Sequence, residues 1–252
     1  MLRCVAVVLI MLASTAASHA AELKVLAALV LQDALGRIVP SFGRDGRTVE
    51  IAYSTVGAIR QRLASGERAD VVVLTSDAIE AMDHAGELLA GQSMPVALTR
   101  TGVAIRDGAA APALATIEQF RAALLAARSV AYTDPKTGGA FGTYFGGELA
   151  LMGIADAVNA KAALRRGSHE IVATVANGDA EIGITFVSTI VSTPGVKVAG
   201  VLPPPLLGEE KFSAGIPKDS AARELATDFI RALRSPAARA VWTAWGFEAE
   251  GP

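Results

Sequence analysis

Cysteine is almost missing from this 252-residue chain, and the one present, Cys4, stands near the start. Around it, Arg3 precedes an apolar run over residues 5–12, and Ser18-His19-Ala20 forms a small-x-small cleavage signature. That layout is the layout of a cleaved export signal covering residues 1–20. The apolar run falls well short of the roughly 20 residues a membrane-spanning helix needs, and Cys4 lies too early for a lipoprotein cleavage box. The expected mature chain is therefore periplasmic and has no thiol, disulfide or lipid anchor. Long hydrophobic runs are also lacking after the signal, so no membrane span is expected there. Charge of one sign is lacking too: losing Arg3 leaves 22 Lys+Arg against 25 Asp+Glu, a formal charge of −3. No basic tract is interleaved with aromatics, which argues against a nucleic-acid partner. Only three histidines occur, and no His/Cys/carboxylate group has metal-ligand spacing, so neither metal nor cofactor is expected. A Gly-x-Ser-x-Gly nucleophile motif is absent as well.

What is present is a chain long enough to do without disulfides, since about 230 residues bury roughly three-quarters of the unfolded surface. Short apolar runs alternate with helical periodicity, the mark of an α/β protein with mostly parallel strands. A strand over 23–28 leads to a helix with Leu31, Leu35, Ile38 and Phe42 on one stripe. A strand over 49–53 leads to a helix from about Thr55, stopped at Gly66, and residues 70–74 form a run suited to a strand buried on both faces. These three units predict one open sheet. After a β-like run over 95–105 and an Ala/Pro-rich link over 109–113, a second α/β set begins. Thr116 and Gln119 make a capping box, and strands over 128–132 and 181–186 enclose helices over 140–152 and 168–176. A strand over 211–216 carries the chain back. Ala222, Leu225, Ala226, Phe229, Ile230 and Leu233 then share one helical face, and Ser235-Pro236 opens a last helix. The domains read as 21–98 with 212–252 for the first lobe and 99–211 for the second.

Several segments, in order, resemble the molybdate-binding-protein-like branch of the type 2 periplasmic binding proteins, over about residues 23–247. They are Leu26-Ala27-Ala28, Gly66-Glu67-Arg68-Ala69-Asp70, Thr133-Asp134-Pro135 before a glycine-rich turn, Gly178-Asp179-Ala180-Glu181-Ile182-Gly183, and the closing stretch from Ser235 to Trp245-Gly246-Phe247. The resemblance implies two α/β lobes, each an open, mostly parallel sheet with flanking helices, joined by two crossovers around a cleft. It also implies a small ligand in that cleft, a hinge closure, and an ABC-type inner-membrane permease as partner; the protein itself is expected as a monomer. Physics agrees on the ligand's sign: strands feeding helix N-termini turn unpaired N–H groups and positive dipole ends toward the cleft.

Four loops are expected to supply the site. The first holds Val30, where oxyanion-binding members offer a serine, and the second holds Ser54 and Thr55, followed by Val56-Gly57 in place of further serines. The third runs over 134–144 with Lys136, Gly138, Gly139 and Thr143, glycines that let backbone amides approach a ligand. The fourth, Arg165-Arg166-Gly167-Ser168-His169, opens a helix, and Phe186 stands across the next strand where molybdate binders carry a tyrosine. With hydroxyls lost, and with Lys136, Arg166 and His169 as cations, a small organic carboxylate suits the cleft better than a molybdate-like oxyanion. No catalytic residue is assigned. An enzyme reading stays open, because a periplasmic aconitate isomerase is similar to this branch. Tyr53, Asp134, Lys136, Tyr144 and His169 are the groups able to move a proton in that case. Trp242 and Trp245 are expected to anchor the last helix, His84 to be solvated, and Arg60 and Arg62 to be helix charges, Arg60 starting near the cleft.

Overall fold

A run such as Val71–Thr75, all β-branched or leucine, has no polar face to turn to water, so it folds only between two layers of helix. The computed structural model describes residues 21–43, 47–137, 140–206 and 208–250, and the expected export signal lies outside them. The chain begins β1 (Ala21–Ala28), α1 (Gln32–Phe42), β2 (Arg47–Ser54), α2 (Val56–Ala64), β3 (Val71–Thr75) and α3 (Ser76–His84), then enters the long β4 (Met94–Arg106). Next come α4 (Ile117–Ala126), β5 (Val130–Thr133), α5 (Ala140–Leu151), α6 (Ala155–Asn159), β6 (Ala162–Arg165) and α7 (Ser168–Asn177). They are followed by β7 (Ile182–Phe186), α8 (Val187–Val191) and β8 (Val196–Val201). The chain returns through β9 (Glu209–Gly215) and ends with α9 (Arg223–Leu233), α10 (Pro236–Ala244) and β10 (Glu248–Ala249). No helix among the described residues is long and apolar enough to cross a membrane.

The strands lie in the order β2-β1-β3-β9-β4-β7-β5-β6. β1 is parallel to β2 and β3, as the three βα units predict, and β5 is parallel to β6 and β7. The antiparallel strands are those that travel between the halves. Along β4, Met94 to Arg100 pair with β9, and Thr101 to Ala104 pair with β7, so the chain changes sheets between Arg100 and Thr101. Arg100 is held there by Glu209 of β9 and Glu248 of β10.

Period-two alternation divides the first sheet's side chains between its faces. Val25, Val71 and Val73 pack on one face with α1, α9 and α10, while Leu26, Val72 and Leu74 pack on the other with Ile59 of α2 and Ile79 of α3. The second sheet repeats this with Tyr132, Phe120 and Phe145 on one face and Ala131, Ile171 and Val175 on the other. None of the four buried clusters mixes residues of the two sheets. The fold is thus two α/β lobes, each with its own core.

Local signals explain the helix ends. Thr116 accepts from the Gln119 N–H at 3.2 Å, but the Gln119 amide oxygen reaches past Thr116 to the Ala115 N–H, so the box closes one residue early. Ser235 caps α10 through the Ala238 N–H, with proline at the first turn. Gly178 ends α7 with φ +85°, and the Arg106 guanidinium lies against it, so any side chain there is excluded twice over. His84 is exposed at the end of α3, as expected. Arg62, expected as a free helix charge, is instead bound to Glu67 through two hydrogen bonds. Arg62, with help from Lys24, draws the Glu67 carboxyl down to about 2.

Candidate functional site

Parallel strands share one direction, so β1, β2 and β3 all deliver their loops to one edge of the first sheet, and β5, β6 and β7 do so in the second. Between these edges lies a cleft of about 320 Å³. The first lobe contributes Leu29 and Val30, and the second contributes the start of α7 from Arg166 to Glu170, together with Phe186 and Thr189. Larger depressions of about 460, 460 and 780 Å³ exist, but each is lined from the first lobe alone or with its immediate flank. One of them holds Arg60, whose guanidinium lies 3.7 Å from Glu87, so the arginine that starts near the cleft points away from it. A second pocket, of about 190 Å³, also takes residues from both lobes, Val187 and Val201 against Gly246 and Phe247, but it lies at the sheet crossing, away from the loops that the parallel strands deliver.

Five of the residues singled out from the sequence meet in this cleft: Val30, Arg166, Ser168, His169 and Phe186. Ser54, Thr55, Lys136 and Thr143 are not part of its lining. Thr55 is the N-cap of α2 and accepts from the Ala58 N–H at 3.3 Å, so its hydroxyl already serves its own helix. Ser54 is half-buried at the end of β2. Lys136 is exposed in a short 3-10 turn whose backbone N–H donates to Asp134 at 2.9 Å, and Thr143 is exposed in the first turn of α5. Gly138 and Gly139 lie outside the described residues. Gly142 is fixed by contact instead: a Cβ there would stand 2.7 Å from the Thr133 carbonyl oxygen, so α5 reaches the end of β5 only with glycine at this point.

The start of α7 is the most distinctive feature of the cleft. Its cap position is Gly167, which has no side chain to accept from the first amides. The first helical bond is Ile171 N–H to Gly167 C=O, so the Ser168, His169 and Glu170 amides precede the helix's own ladder. α2, α4 and α10 are capped by their own Thr55, Thr116 and Ser235, whereas α1, α3 and α9, like α7, have no side-chain cap; α7 differs from these in lining the cleft. Glu170 turns back to accept from the Arg166 N–H at 3.1 Å, so its carboxylate and the exposed Arg166 side chain share the wall with the positive end of the helix. Arg165 is committed to Thr174 and the Leu164 carbonyl.

Beside this polar start, Phe186 of the same lobe and Leu29 and Val30 of the first lobe give an apolar surface. Phe186 is braced by Phe141 at 6.0 Å between ring centroids, and Phe141 stacks on Phe145 at 5.9 Å. Burial, aided by Asp33, pushes the half-buried Tyr53 phenol up to about 12, so it remains protonated and is a donor rather than a base. Glu210 is half-buried where β9 passes the end of β3, and its carboxyl is raised by that burial and by Asp77. Thr189 was missed by sequence reasoning. The hydroxyl-rich stretch Thr185 to Thr189 was its only signal, and nothing in the pattern says which hydroxyl faces the cleft.

A model of the family described as bacterial extracellular solute-binding protein matches residues 23–248. The chain belongs to that family. Among solved structures, this solute-binding protein is similar to the substrate-binding domain of a putative molybdenum ABC transporter from Clostridium difficile, with a TM-score of 0.76 at 16% identity, covering 92% of this chain and all of that one. It is also similar to the periplasmic molybdate-binding protein of Azotobacter vinelandii, with a TM-score of 0.69 at 22% identity over 91% of this chain and all of the other. A curated relative is an aconitate isomerase from a Pseudomonas species, 28% identical over 243 residues, 92% of this chain and 91% of that one. The structural likenesses carry the two-lobed fold of periplasmic binding proteins.

Proposed function

We propose that this solute-binding protein is the periplasmic capture component of an ABC-type transporter. It takes a small organic carboxylate into the cleft between its lobes and presents the closed complex to an inner-membrane permease. The lobes divide between Arg100 and Thr101 on the way out and just before Glu209 on the way back, slightly outside the expected 98 and 212. The observation that carries the reading is one cavity of mixed character: the uncapped amides of α7 together with the apolar Leu29, Val30 and Phe186. Amides at a helix start favour a negative head group. An apolar wall leaves acceptors unpaired around a compact tetraoxyanion, at about 1–3 kcal/mol each, whereas it suits the carbon body of an organic acid. At about 320 Å³ the cleft has the size of the smaller ligand pockets.

A second reading, a cofactor-independent isomerase of an unsaturated polycarboxylate, is favoured by the aconitate isomerase relative. It needs the same carboxylate pocket and a group that accepts and returns a proton. Tyr53, held protonated, does not suit that role, and His169 is the imidazole lining the cleft.

Calorimetry with citrate, trans-aconitate, succinate and molybdate tests the ligand class. Binding of at least one carboxylate and no heat from molybdate is expected, and tight molybdate binding without any carboxylate response would contradict it. Incubation with cis-aconitate, followed by ultraviolet absorbance, separates the two readings. A steady absorbance supports capture, and conversion to the trans isomer establishes the isomerase.

A further inference from the structure

Most hydroxyls around the second lobe's cleft edge already have partners. Thr174 donates to the Glu170 carbonyl at 2.7 Å, and Thr193 and Ser192 both donate to the Thr189 carbonyl. Thr189 differs. The residue lines the cleft and is only 2% exposed, and its hydroxyl, turned inward, has no hydrogen-bond partner among the described residues. A buried hydroxyl without a partner is unfavourable in the empty protein, because water has been stripped from it and nothing replaces it. A valine would fill the same volume without that penalty.

We propose that Thr189 is a ligand-binding residue whose hydroxyl completes a carboxylate site with the α7 amides. The inference rests on the carboxylate reading above and deepens it. A carboxylate has two oxygens and about four lone-pair positions, more than the start of one helix satisfies in one direction. One oxygen takes the Ser168 and His169 amides at the uncapped start of α7, and the other takes the Thr189 hydroxyl, brought to the cleft by rotation of its side chain between its two helical rotamers. The carbon body then lies toward Val30 and Phe186. The class of ligand this selects is a carboxylate with an apolar or unsaturated stem next to the head group, in preference to an acid polar all round. Two observations meet here independently, an uncapped ten-residue helix and a buried hydroxyl lacking a partner, and the residues that carry them line the same cavity.

Thr101 and Ser188 also bury hydroxyls without partners, at 1% and 3% exposure, yet neither is part of the cleft lining. Ser188 lies instead against Gly246, behind the sheet crossing. It serves as the internal control.

The experiment compares wild type, Thr189→Val, Thr189→Ser and Ser188→Ala by thermal unfolding without ligand and by calorimetry with trans-aconitate, citrate and molybdate. Thr189→Val is expected to unfold at the same or a higher temperature than wild type, while its affinity for whichever probe wild type binds falls about tenfold. Thr189→Ser keeps affinity within about threefold, and Ser188→Ala binds as wild type does. A merely structural threonine would give the opposite pattern, a lower unfolding temperature with affinity unchanged, and either half of that result overturns the proposal. If wild type binds molybdate alone, the carboxylate reading fails while the Thr189→Val comparison still decides the role of the hydroxyl. If wild type binds none of the probes, both are contradicted.

Discussion

Replacing Ser168 by tryptophan abolishes the ligand-induced rise in unfolding temperature and leaves the ligand-free protein folded. Ser168 is the first residue of α7, half-buried on the cleft side, and the cap position belongs to Gly167, so the helix loses no side-chain cap with the change. An indole brings about 150–250 Å² of surface into a cavity of about 320 Å³ and lies over the amides that receive the anion. The effect on binding is all or nothing. A ligand at a hundred times its dissociation constant stabilises wild type by about 2.7 kcal/mol, and the variant should show none of it. Thermal unfolding with and without saturating trans-aconitate reads both halves of the statement. A retained shift in Ser168→Trp means that the ligand sits elsewhere.

The largest loss of stability is expected far from the cleft, at Trp242. Its ring is fully buried between the first lobe's sheet and α9, meets Phe247 edge-on at 5.3 Å, and its indole N–H donates to the Leu233 carbonyl at 2.9 Å. Trp242→Ala removes that packing and leaves a buried carbonyl without its donor, a cost of about 3–5 kcal/mol. For a chain of this size it corresponds to a drop of roughly 6–20 °C. Trp245, three residues on, is half-buried with the Arg37 guanidinium 5.8 Å from its ring. Trp245→Ala is therefore expected to cost about 1 kcal/mol, the value of a half-exposed aromatic contact. Equal losses at the two positions would contradict the account of how α10 is anchored.

The fold was legible wherever one residue type has one cheap place to go. Val71–Thr75 is a buried central strand because nothing in it tolerates water, and α9 is a surface helix because Phe229, Ile230 and Leu233 return to one face. Other elements left weaker traces. Ala162–Arg165 forms an edge strand of half-buried alanines and an exposed leucine with no alternation to detect, and Val196–Val201 joins β4 through a register shift that no local pattern encodes. In α5 the glycines at 142, 146 and 147 dilute the helical stripe.

The site was legible in outline and less so in detail. Strand-to-helix junctions are visible in sequence, and they pointed to the α7 start, Val30 and Phe186, which line one cleft. Which junction residues meet depends on how the lobes face each other. Thr55 and Ser168 look alike as hydroxyls at helix starts, yet one caps its own helix and the other leaves its helix uncapped. Arg60 and Lys136 were counted for their charge, whereas Arg60 pairs with Glu87 and Lys136 stands in solvent. The lone hydroxyl of Thr189 is a property of its neighbours in space, and no reading of residue types supplies it.

Amide NMR of ¹⁵N-labelled protein, titrated with the carboxylate that calorimetry finds to bind, tests the central claim directly. The Ser168 and His169 amide resonances should move furthest, with Phe186 and Thr189 following. Movement centred on Arg60, Glu87 and Lys218, with the α7 start unchanged, would contradict it and put the ligand in the first lobe's outer depression.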